Sequence, residues 1–329
     1  MRKVALIGAG GMGRVHAGAY AQLPEAELVA VCDMQVEVAR KLADAHGAKA
    51  YDNFQQMISE IDVDVVDICV PTFGHLEYIK AAADAGKPVI CEKPLARTVG
   101  QAQEALRICE EAGVTLFVAH VLRWFPEYRK IRNLIADGAV GDVVDVRTSR
   151  GGGHPQTQDS WYADYKRSGG VVLDLIIHDF DWLRWCFGKV HRVYAAGLAE
   201  AKIPLTDYAL VTIKFDSGVI AHVEGSWAKP GAFKTSVEVA GTKGLLSGSN
   251  FGSVPLMIER KAVDGPTACM TVPQSPLSQS PYMLELRHFI HCIECGETPE
   301  VTAEDGIEAV KIAEAALRSI SSGQPVVLA

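Results

Sequence analysis

The sequence lacks the features that mark membrane, nucleic-acid-binding and low-complexity proteins. No run of 18 or more apolar residues occurs in it, so no segment is predicted to cross a bilayer as a helix. Acidic residues outnumber basic ones and give a formal net charge of −8, which argues against the basic face that a nucleic-acid partner requires. Internal repeats and biased tracts are also missing. These absences predict a globular protein without nucleic-acid or membrane partners.

A secretory signal is not predicted either. Met1-Arg2-Lys3 is basic, but the apolar run Val4–Ile7 that follows is short and glycines interrupt it. We therefore expect this segment to be the first strand. The eight cysteines are then expected to be free thiols of a reducing compartment, and the protein is expected in the cytoplasm.

Cys292 and Cys295 form a C-x-x-C motif beside His288 and His291. A structural zinc site needs four ligands, and the sequence offers no second C-x-x-C. We predict no metal and interpret the segment as a helix with the cysteines on its buried side. A small metal site is the alternative.

At 329 residues the chain has the length of about two domains. Strand and helix patterns alternate over residues 1–120, which predicts βαβ units and a doubly wound parallel sheet of the Rossmann type. Between residues 142 and 260, strand patterns follow one another with hairpin-like turns, which predicts a large, mostly antiparallel open sheet. We expect an α/β domain over residues 1–120 and an α+β domain over residues 121–329. The strands predicted in the first domain are Val4–Gly8, Glu27–Asp33, Lys49–Tyr51, Val65–Val70, Pro88–Cys91 and Leu116–Ala119.

The segment Gly8-Ala9-Gly10-Gly11-Met12-Gly13 fits the G-x-G-x-x-G pattern. It follows a predicted strand and opens a predicted helix, which is the context that dinucleotide binding requires. Gly8 permits the tight turn, Gly10 lets the backbone approach a pyrophosphate, and Gly13 allows close packing of helix on strand. We predict that residues Gly8, Gly10, Gly11, Met12 and Gly13 bind the cofactor at the positive end of the helix.

Asp33 ends the second predicted strand, at the spacing expected for the acid that binds the ribose hydroxyls. Its charge would repel a 2′-phosphate, and the next residues, Met34 and Gln35, offer no cation to offset it. We therefore predict NAD rather than NADP. Pro71, His75 and Glu92 are further predicted cofactor contacts.

The apolar segment Gly170–Phe187 is predicted to be one helix, yet it carries Asp174, His178 and Asp181. Positions i, i+4 and i+7 share one helix face. A carboxylate one turn from a histidine would orient the imidazole and stabilise its charged form. Such a pair can remove the hydroxyl proton when an alcohol is oxidised. A solvated helix face with an ordinary Asp–His pair is the alternative.

Lys93 follows the predicted strand Pro88–Cys91, within Glu92-Lys93-Pro94. Ligands of doubly wound sheets bind beyond the carboxyl ends of the strands, so Lys93 is predicted near the cofactor. Its ammonium could polarise a substrate oxygen. A surface lysine in a turn is the alternative.

Taken in order, these motifs resemble one family. The chain is identified as a member of the glucose–fructose oxidoreductase / inositol dehydrogenase (Gfo/Idh/MocA) family, in the branch similar to inositol 2-dehydrogenase. The resemblance covers essentially the whole chain. It depends on Gly8–Gly13, Glu92–Pro94, Asp174–Asp181 and an ending that contains Glu285, Phe289, Gly296–Pro299 and Ser321–Val326.

The resemblance implies an NAD-dependent dehydrogenase that oxidises a secondary alcohol of a cyclitol or sugar. It implies that Lys93 contacts the reacting hydroxyl, that His178 is the acid–base group and that Asp174 holds its ring. Asp181 and Arg123 would contact the substrate, and the Lys93–Pro94 peptide would be cis. The second domain would bind the substrate and form a homodimer or homotetramer through its sheet.

The substrate is the least determined part. The segment Gly151–Tyr162 is predicted to set specificity, with His154, Trp161, Tyr162 and Trp227 lining a pocket for a polyhydroxylated ring. Packing alone is the alternative role of these aromatic residues. We expect myo-inositol, with a sugar acid, an amino sugar or an anhydrosugar as alternatives. The arginines that would favour a sugar acid are Arg123, Arg147 and Arg150. A dinucleotide-binding sensor without turnover is a further alternative.

Overall fold

The computed structural model describes residues 1–155, 161–198, 207–229, 231–252, 256–260, 269–270 and 280–328. The chain divides into two units. The first unit is Met1–Trp124 with Gln279–Val310, and the second is Phe125–Ser278 with Lys311–Ala329. Part of the predicted specificity segment, residues 156–160, lies outside the described residues.

The strands are β1 (Arg2–Ile7), β2 (Ala26–Cys32), β3 (Lys49–Tyr51), β4 (Val65–Ile68), β5 (Val89–Glu92), β6 (Leu116–Ala119), β7 (Val143–Gly151), β8 (Val190–Gly197), β9 (Tyr208–Phe215), β10 (Ile220–Ser226), β11 (Lys234–Gly241), β12 (Gly244–Ser249), β13 (Leu256–Arg260), β14 (Cys269–Met270) and β15 (Val326–Val327). The α-helices are α1 (Gly11–Tyr20), α2 (Val36–His46), α3 (Phe54–Glu60), α4 (His75–Asp84), α5 (Val99–Ala112), α6 (Pro126–Ala136), α7 (Tyr165–Ser168), α8 (Ile177–Phe187), α9 (Pro281–Cys295) and α10 (Ala303–Ser322).

The first unit contains a parallel sheet with the strand order β3-β2-β1-β4-β5-β6. Strands β4, β5 and β6 are buried along their whole length, because helices cover both faces of a doubly wound sheet. The order reverses between β1 and β4, so the carboxyl ends of these strands flank the crevice where such folds bind ligands. The predicted α/β fold class is confirmed.

Helix α9 belongs to the first unit, although the sequence assigned every residue after 120 to the second domain. Met283, Leu286 and Phe289 of α9 are buried in one apolar cluster with residues of the parallel sheet, such as Leu6 and Phe117. The rings of Phe117 and Phe289 lie 5.0 Å apart. The structure therefore differs from the expected division, because burial of this apolar helix face joins a late segment to the first unit.

The second unit contains a sheet of nine strands in the order β14-β13-β12-β11-β7-β10-β9-β8-β15. Strands β7 and β10 pair in parallel, and the other neighbouring strands pair antiparallel. Buried and exposed residues alternate along β9, as in a sheet with one covered face. The predicted, mostly antiparallel sheet is confirmed. The short strands β14 and β15 were not predicted, since two residues carry too little pattern.

The segment predicted as one helix over Gly170–Phe187 is divided in two. Val171–Leu175 form a π-helical turn, Ile176 follows it, and α8 continues from Ile177. The uniform period of 3.6 residues assumed from the sequence therefore fails at this point. Among the helices of the described residues, none is long and apolar enough to span a membrane.

Candidate active site

The glycine motif connects β1 to α1. Gly8 has a φ of +96°, and a Cβ on it would lie 2.8 Å from the main chain of Cys69. A Cβ on Gly13 would lie 1.9 Å from the carbonyl oxygen of Gly8. Side chains are excluded at both positions, because the loop packs tightly between the strand ends and the helix.

Gly10 and Gly11 instead adjoin open space. Apart from adjacent residues, no atom of the described chain lies within 4 Å of a Cβ built on either glycine. Gly10 is the N-cap of α1, and no side chain caps this helix end. The first N–H groups of the helix can therefore bind an anion. Together with half-buried Met12, this helix end fits the pyrophosphate of a dinucleotide.

Asp33 follows β2 and lies beside the glycine loop. One carboxylate oxygen accepts a hydrogen bond from the Ala9 N–H at 2.8 Å, and the other accepts one from the Gln35 N–H at 2.9 Å. A carboxylate has about four lone-pair sites, so acceptor capacity is left for ribose hydroxyls. The geometry fits the predicted role, and its charge lies next to the dinucleotide-binding loop.

Pro71 and His75 follow β4 at the same edge of the sheet. Pro71 is half-buried, whereas the His75 ring is buried. The His75 nitrogens lie 2.9 Å from the Pro94 carbonyl oxygen and 3.0 Å from that of Val70. Burial lowers the pKa of His75. This side chain connects two loops of the edge, and the predicted cofactor contacts of both residues stay predictions.

Lys93 follows β5 directly and is half-buried. The Lys93–Pro94 peptide is cis, as the family resemblance implied. The backbone N–H of Lys93 donates a hydrogen bond of 2.9 Å to the carboxylate of Glu92, which is itself buried. Lys93 therefore lies at the carboxyl edge of the sheet, together with the glycine loop and Asp33.

His16 is a buried residue that no sequence motif singled out. Its Nδ1 lies 2.8 Å from Asp67 and its Nε2 lies 3.1 Å from Glu92. Burial alone would lower the pKa of His16, but the Asp67 carboxylate and Cys69 raise it well above its usual range. Burial alone would raise the pKa of Glu92. The hydrogen bonds from His16 and the Lys93 backbone, together with the charges of these two residues, outweigh burial and lower this pKa. The signal available in the sequence was a histidine within the first helix, three residues after the glycine motif.

Possible metal ligands do come together here. The ligand atoms of His16, Asp67 and Cys69 lie within 4.8 Å of one another. The 2.8 Å separation of Nδ1 and the Asp67 oxygen is a hydrogen-bond distance, so we interpret the group as a hydrogen-bonded network. At the C-x-x-C motif, Cys292 is buried and Cys295 is exposed. The expectation that both cysteines are buried therefore holds for Cys292 alone.

In the second unit, Asp174 lies in the π-helical turn and His178 in the first turn of α8. Both are half-buried, whereas Asp181 is 1% exposed. A shared face at these spacings requires a regular α-helix. His178 and Asp181 both lie in α8 and meet this condition, whereas the π-helical turn changes the spacing to Asp174. π turns within helices are frequent at functional sites, which fits a role for this segment.

Two buried polar groups hold this segment, and the sequence analysis missed the first, Asp207. The Asp207 carboxylate accepts hydrogen bonds from the N–H groups of Val171 at 2.7 Å and Tyr208 at 2.8 Å. Gly170, with a φ of +64°, makes room for it, because a Cβ there would lie 2.4 Å from an Asp207 oxygen. Burial raises the pKa of Asp207. The glycine pair before the segment was the available signal.

Arg150 forms the second support. Its Nε donates to the carboxylate of Asp179 at 2.8 Å, and both side chains are buried. Asp179 adjoins His178 in α8. The pair therefore joins the end of β7 to the start of the helix that carries the predicted base. The sequence suggested Arg150 as an anion contact, and the structure shows it paired with a carboxylate.

Aromatic side chains cluster around the described part of the predicted specificity segment. The rings of Trp161 and Tyr162 stack at 4.0 Å between centroids. Trp227 lies 6.1 Å from Tyr162 and 5.1 Å from His154. Trp161 and Trp227 are mostly buried, while His154 and Tyr162 are half-buried. The structure thus brings together the four residues that the sequence grouped.

Arg123 belongs to the first unit and is 2% exposed. Its guanidinium donates to the Glu300 carbonyl at 2.8 Å and lies 3.2 Å from the Asp305 carboxylate. The prediction of a basic substrate contact conflicts with this burial, because the charged group connects internal segments of the unit. Sequence position alone did not reveal its acidic partner.

Two family models match the chain. One, described as an oxidoreductase family with an NAD-binding Rossmann fold, matches residues 2–120, and the GFO/IDH/MocA C-terminal domain matches residues 128–247. Together with the parallel sheet and the uncapped glycine loop, the matches define an NAD-binding oxidoreductase that acts on CH–OH groups. The chain belongs to the Gfo/Idh/MocA oxidoreductase family.

Relatives of the chain include proteins named as sugar and cyclitol dehydrogenases. It is 32% identical to a protein of Rhizobium meliloti named inositol 2-dehydrogenase, over 98% of each chain. It is also 32% identical to the D-apiose dehydrogenase of Paraburkholderia graminis, over 99% of this chain and 89% of the relative. Among solved structures, GenD2 from gentamicin A biosynthesis in complex with NAD is 27% identical, with a TM-score of 0.88 over 100% of this chain and 96% of that one.

Proposed function

We propose that the protein is an NAD-dependent dehydrogenase that oxidises a secondary alcohol of a neutral cyclitol or sugar to a ketone, with myo-inositol as the first candidate. The observation that carries the proposal is the sheet edge of the first unit. Three features follow strands of this edge: an uncapped helix end at Gly10 and Gly11 after β1, the Asp33 carboxylate after β2, and Lys93 after β5. The inositol 2-dehydrogenase relative supports the substrate class.

The proposed chemistry gives each predicted catalytic residue its own role. His178 would take the hydroxyl proton at a ring nitrogen, and Asp174 would orient the ring and stabilise its charged form. Lys93 would donate a hydrogen bond to the reacting oxygen and so favour its deprotonation. Bound NAD supplies the hydride acceptor. Asp181, whose side chain is 1% exposed, is proposed to contact substrate hydroxyls.

The charges of the candidate arginines favour a neutral substrate. Arg123 lies 3.2 Å from Asp305, and Arg150 donates to Asp179 at 2.8 Å. Exposed Arg147 lies beside two carboxylates, with Glu238 at 3.7 Å. Since each guanidinium already has an acidic neighbour, an anionic substrate gains little from any of them. We therefore omit Arg123 from the proposed substrate contacts and place a sugar acid below a neutral ring.

The aromatic cluster of His154, Trp161, Tyr162 and Trp227 is the proposed ring-binding surface. The apolar faces of a sugar or cyclitol stack on aromatic rings, while its hydroxyls pair with polar atoms. The His154 Nδ1 is buried and has no hydrogen-bond partner among the described residues. This atom is the proposed partner of one substrate hydroxyl.

The decisive assay measures formation of the reduced cofactor from NAD or NADP by the absorbance of its nicotinamide. The candidate substrates are inositols, aldoses, amino sugars, sugar acids and anhydrosugars. Turnover of a neutral ring with NAD is expected. Turnover of sugar acids alone would overturn the argument from the arginines. Tight NADH binding without turnover of any compound would favour a sensor without catalysis.

Preference for NAD is proposed from the position of Asp33. Asp33→Asn keeps an oxygen for the Ala9 N–H but removes the charge that would repel a 2′-phosphate. The ratio of kcat/KM for NAD to that for NADP is expected to fall at least about tenfold, which corresponds to about 1.4 kcal/mol. An unchanged ratio would show that Asp33 does not determine the preference.

We also propose self-association through the nine-stranded sheet. Tyr194, Leu210 and Ile220 are exposed apolar residues on three neighbouring strands, β8, β9 and β10, and each could pack against a second copy of the sheet. Light scattering should give a homodimer or homotetramer, and Leu210→Glu should shift it towards the monomer. A natural chain that is monomeric at assay concentrations would contradict this. Free thiols are present at Cys32, Cys69, Cys91, Cys109, Cys186, Cys292 and Cys295. They support the proposal of a reducing compartment such as the cytoplasm.

A further inference from the structure

His16 lies at the centre of a buried charged network in the first unit. It is 0% exposed, and its two ring nitrogens face the carboxylates of Asp67 and Glu92 at 2.8 and 3.1 Å. An ionised carboxylate only accepts hydrogen bonds, and a neutral imidazole donates just one. The geometry therefore matches an imidazolium that donates to both carboxylates.

The network continues from His16 to the main chain of Lys93. Oε1 of Glu92 faces the His16 ring, and Oε2 accepts from the Lys93 N–H at 2.9 Å. Both oxygens of one buried carboxylate are thus held, one by a residue of α1 and one by the backbone of the residue proposed to contact substrate. The chain of contacts joins the helix that begins in the glycine motif to the turn after β5.

Tyr20 and Cys69 contact the network at Asp67 and His16, and neither contact involves Lys93. The Tyr20 hydroxyl donates to Asp67 at 2.8 Å, and the Cys69 sulfur lies 3.4 Å from the His16 Nδ1. Tyr20 is as deeply buried as its neighbours and contacts the same carboxylate as His16. Removing its hydroxyl perturbs the same network while leaving the contact between His16 and Glu92.

We infer that His16 is a positioning residue for Lys93, because its imidazolium fixes Glu92 and Glu92 fixes the Lys93 backbone. This inference rests on the proposed function, in which Lys93 contacts the reacting hydroxyl. The N–H groups at the start of α1 belong to the backbone, so cofactor affinity does not depend on the imidazole. Displacing a reacting group by about 1 Å can cost about 100-fold in rate. Loss of His16 should therefore lower kcat and leave NADH affinity largely unchanged.

The experiment compares His16→Gln, Glu92→Gln, their double variant, Tyr20→Phe and Lys93→Met in the full chain. The measurements are kcat at saturating NAD and substrate, and the NADH dissociation constant from nicotinamide fluorescence. His16→Gln and Glu92→Gln should each lower kcat about 30- to 100-fold. The NADH dissociation constant of His16→Gln should stay within about threefold of that of the natural chain. Tyr20→Phe should change kcat less than about twofold, even if it lowers the unfolding midpoint.

The double variant shows whether His16 acts on Lys93 through Glu92. If His16 acts through Glu92, the double variant loses no more kcat than the more damaged single variant, whereas independent effects would multiply. If His16→Gln does not fold, Glu92→Gln decides, because it keeps the shape of the side chain.

Two failures are distinguishable. Turnover retained by Lys93→Met would overturn the proposed role of Lys93 and with it the proposed function of this edge. If Lys93→Met is inactive but His16→Gln and Glu92→Gln have the same kcat as Tyr20→Phe, only the positioning role of His16 is overturned. Multiplicative losses in the double variant would also contradict it.

Discussion

The buried ion pair between Arg150 and Asp179 allows a quantitative prediction about the second unit. The substitution is Asp179→Asn. Oδ2 of Asp179 accepts from Arg150, while Oδ1 has no hydrogen-bond partner among the described residues. The amide can place its oxygen towards Arg150 and its NH₂ at the other position. The shape and one hydrogen bond are preserved, so the change removes mainly the charge.

The expected cost follows from burial. The side chains of Arg150 and Asp179 are 7% and 1% exposed. Removing one partner of a buried pair costs about 3–5 kcal/mol, because it leaves a buried charge without compensation. Since the hydrogen bond can persist, we expect about 3 kcal/mol. A unit of this size loses about 2–4 °C in unfolding midpoint per kcal/mol, so the expected shift is about 6–12 °C.

The assay is thermal unfolding of the full chain, with Asp84→Asn as the matched control. Asp84 pairs with Lys80 on α4, and both side chains are more than half exposed. Such a pair contributes at most about 1 kcal/mol. A double variant, Arg150→Met with Asp179→Leu, should be more stable than Asp179→Asn, because no buried charge is left. A midpoint for Asp179→Asn within about 2 °C of the control would refute the reasoning.

Two further predictions concern the first unit. Gly13→Ala should abolish NADH binding, because its Cβ would lie 1.9 Å from the Gly8 oxygen, whereas Gly18→Ala on the same helix meets nothing within 4 Å and should bind normally; equal NADH affinities would contradict the loop geometry. The stabilisation lost in His16→Gln, measured by urea unfolding, should be largest between about pH 4.5 and 6.5. Because the pKa of His16 is raised in the folded chain, its contribution to the free energy of unfolding is complete below pH 6.5 and is lost as the pH rises. Because the pKa of Glu92 is lowered, its contribution is complete above pH 4.5 and is lost as the pH falls. A difference that grows above pH 6.5 would show that the ring is buried neutral.

Local sequence patterns were sufficient for the parallel sheet and for the glycine loop. A buried strand that ends at a glycine, and glycines at a fixed spacing, meet steric requirements that are local. Such requirements can be recognised from the residue types alone. The π-helical turn at Val171–Leu175 was not predicted, because it is held by a hydrogen bond between Val171 and Asp207, which are 36 residues apart in sequence. The position of α9 in the first unit was not predicted for the same reason, since its partners, such as Phe117, are distant in sequence.

Charged residues were the most difficult to interpret. An arginine in a sequence shows its charge but not its partner, so Arg123 and Arg150 resembled anion contacts until their carboxylates were seen. His16 was overlooked for the opposite reason. A single histidine in an apolar helix carries no motif, and its role depends on Asp67 and Glu92, which lie 51 and 76 residues away.

The most direct test of the account compares the natural chain with His178→Ala in NADH formation from NAD and myo-inositol, with NADH binding measured in parallel. We expect turnover by the natural chain, a loss of about 100- to 10,000-fold in His178→Ala, and NADH dissociation constants that agree within about threefold. Turnover that survives in His178→Ala would contradict the central claim that this histidine is the acid–base group of a polyol dehydrogenase.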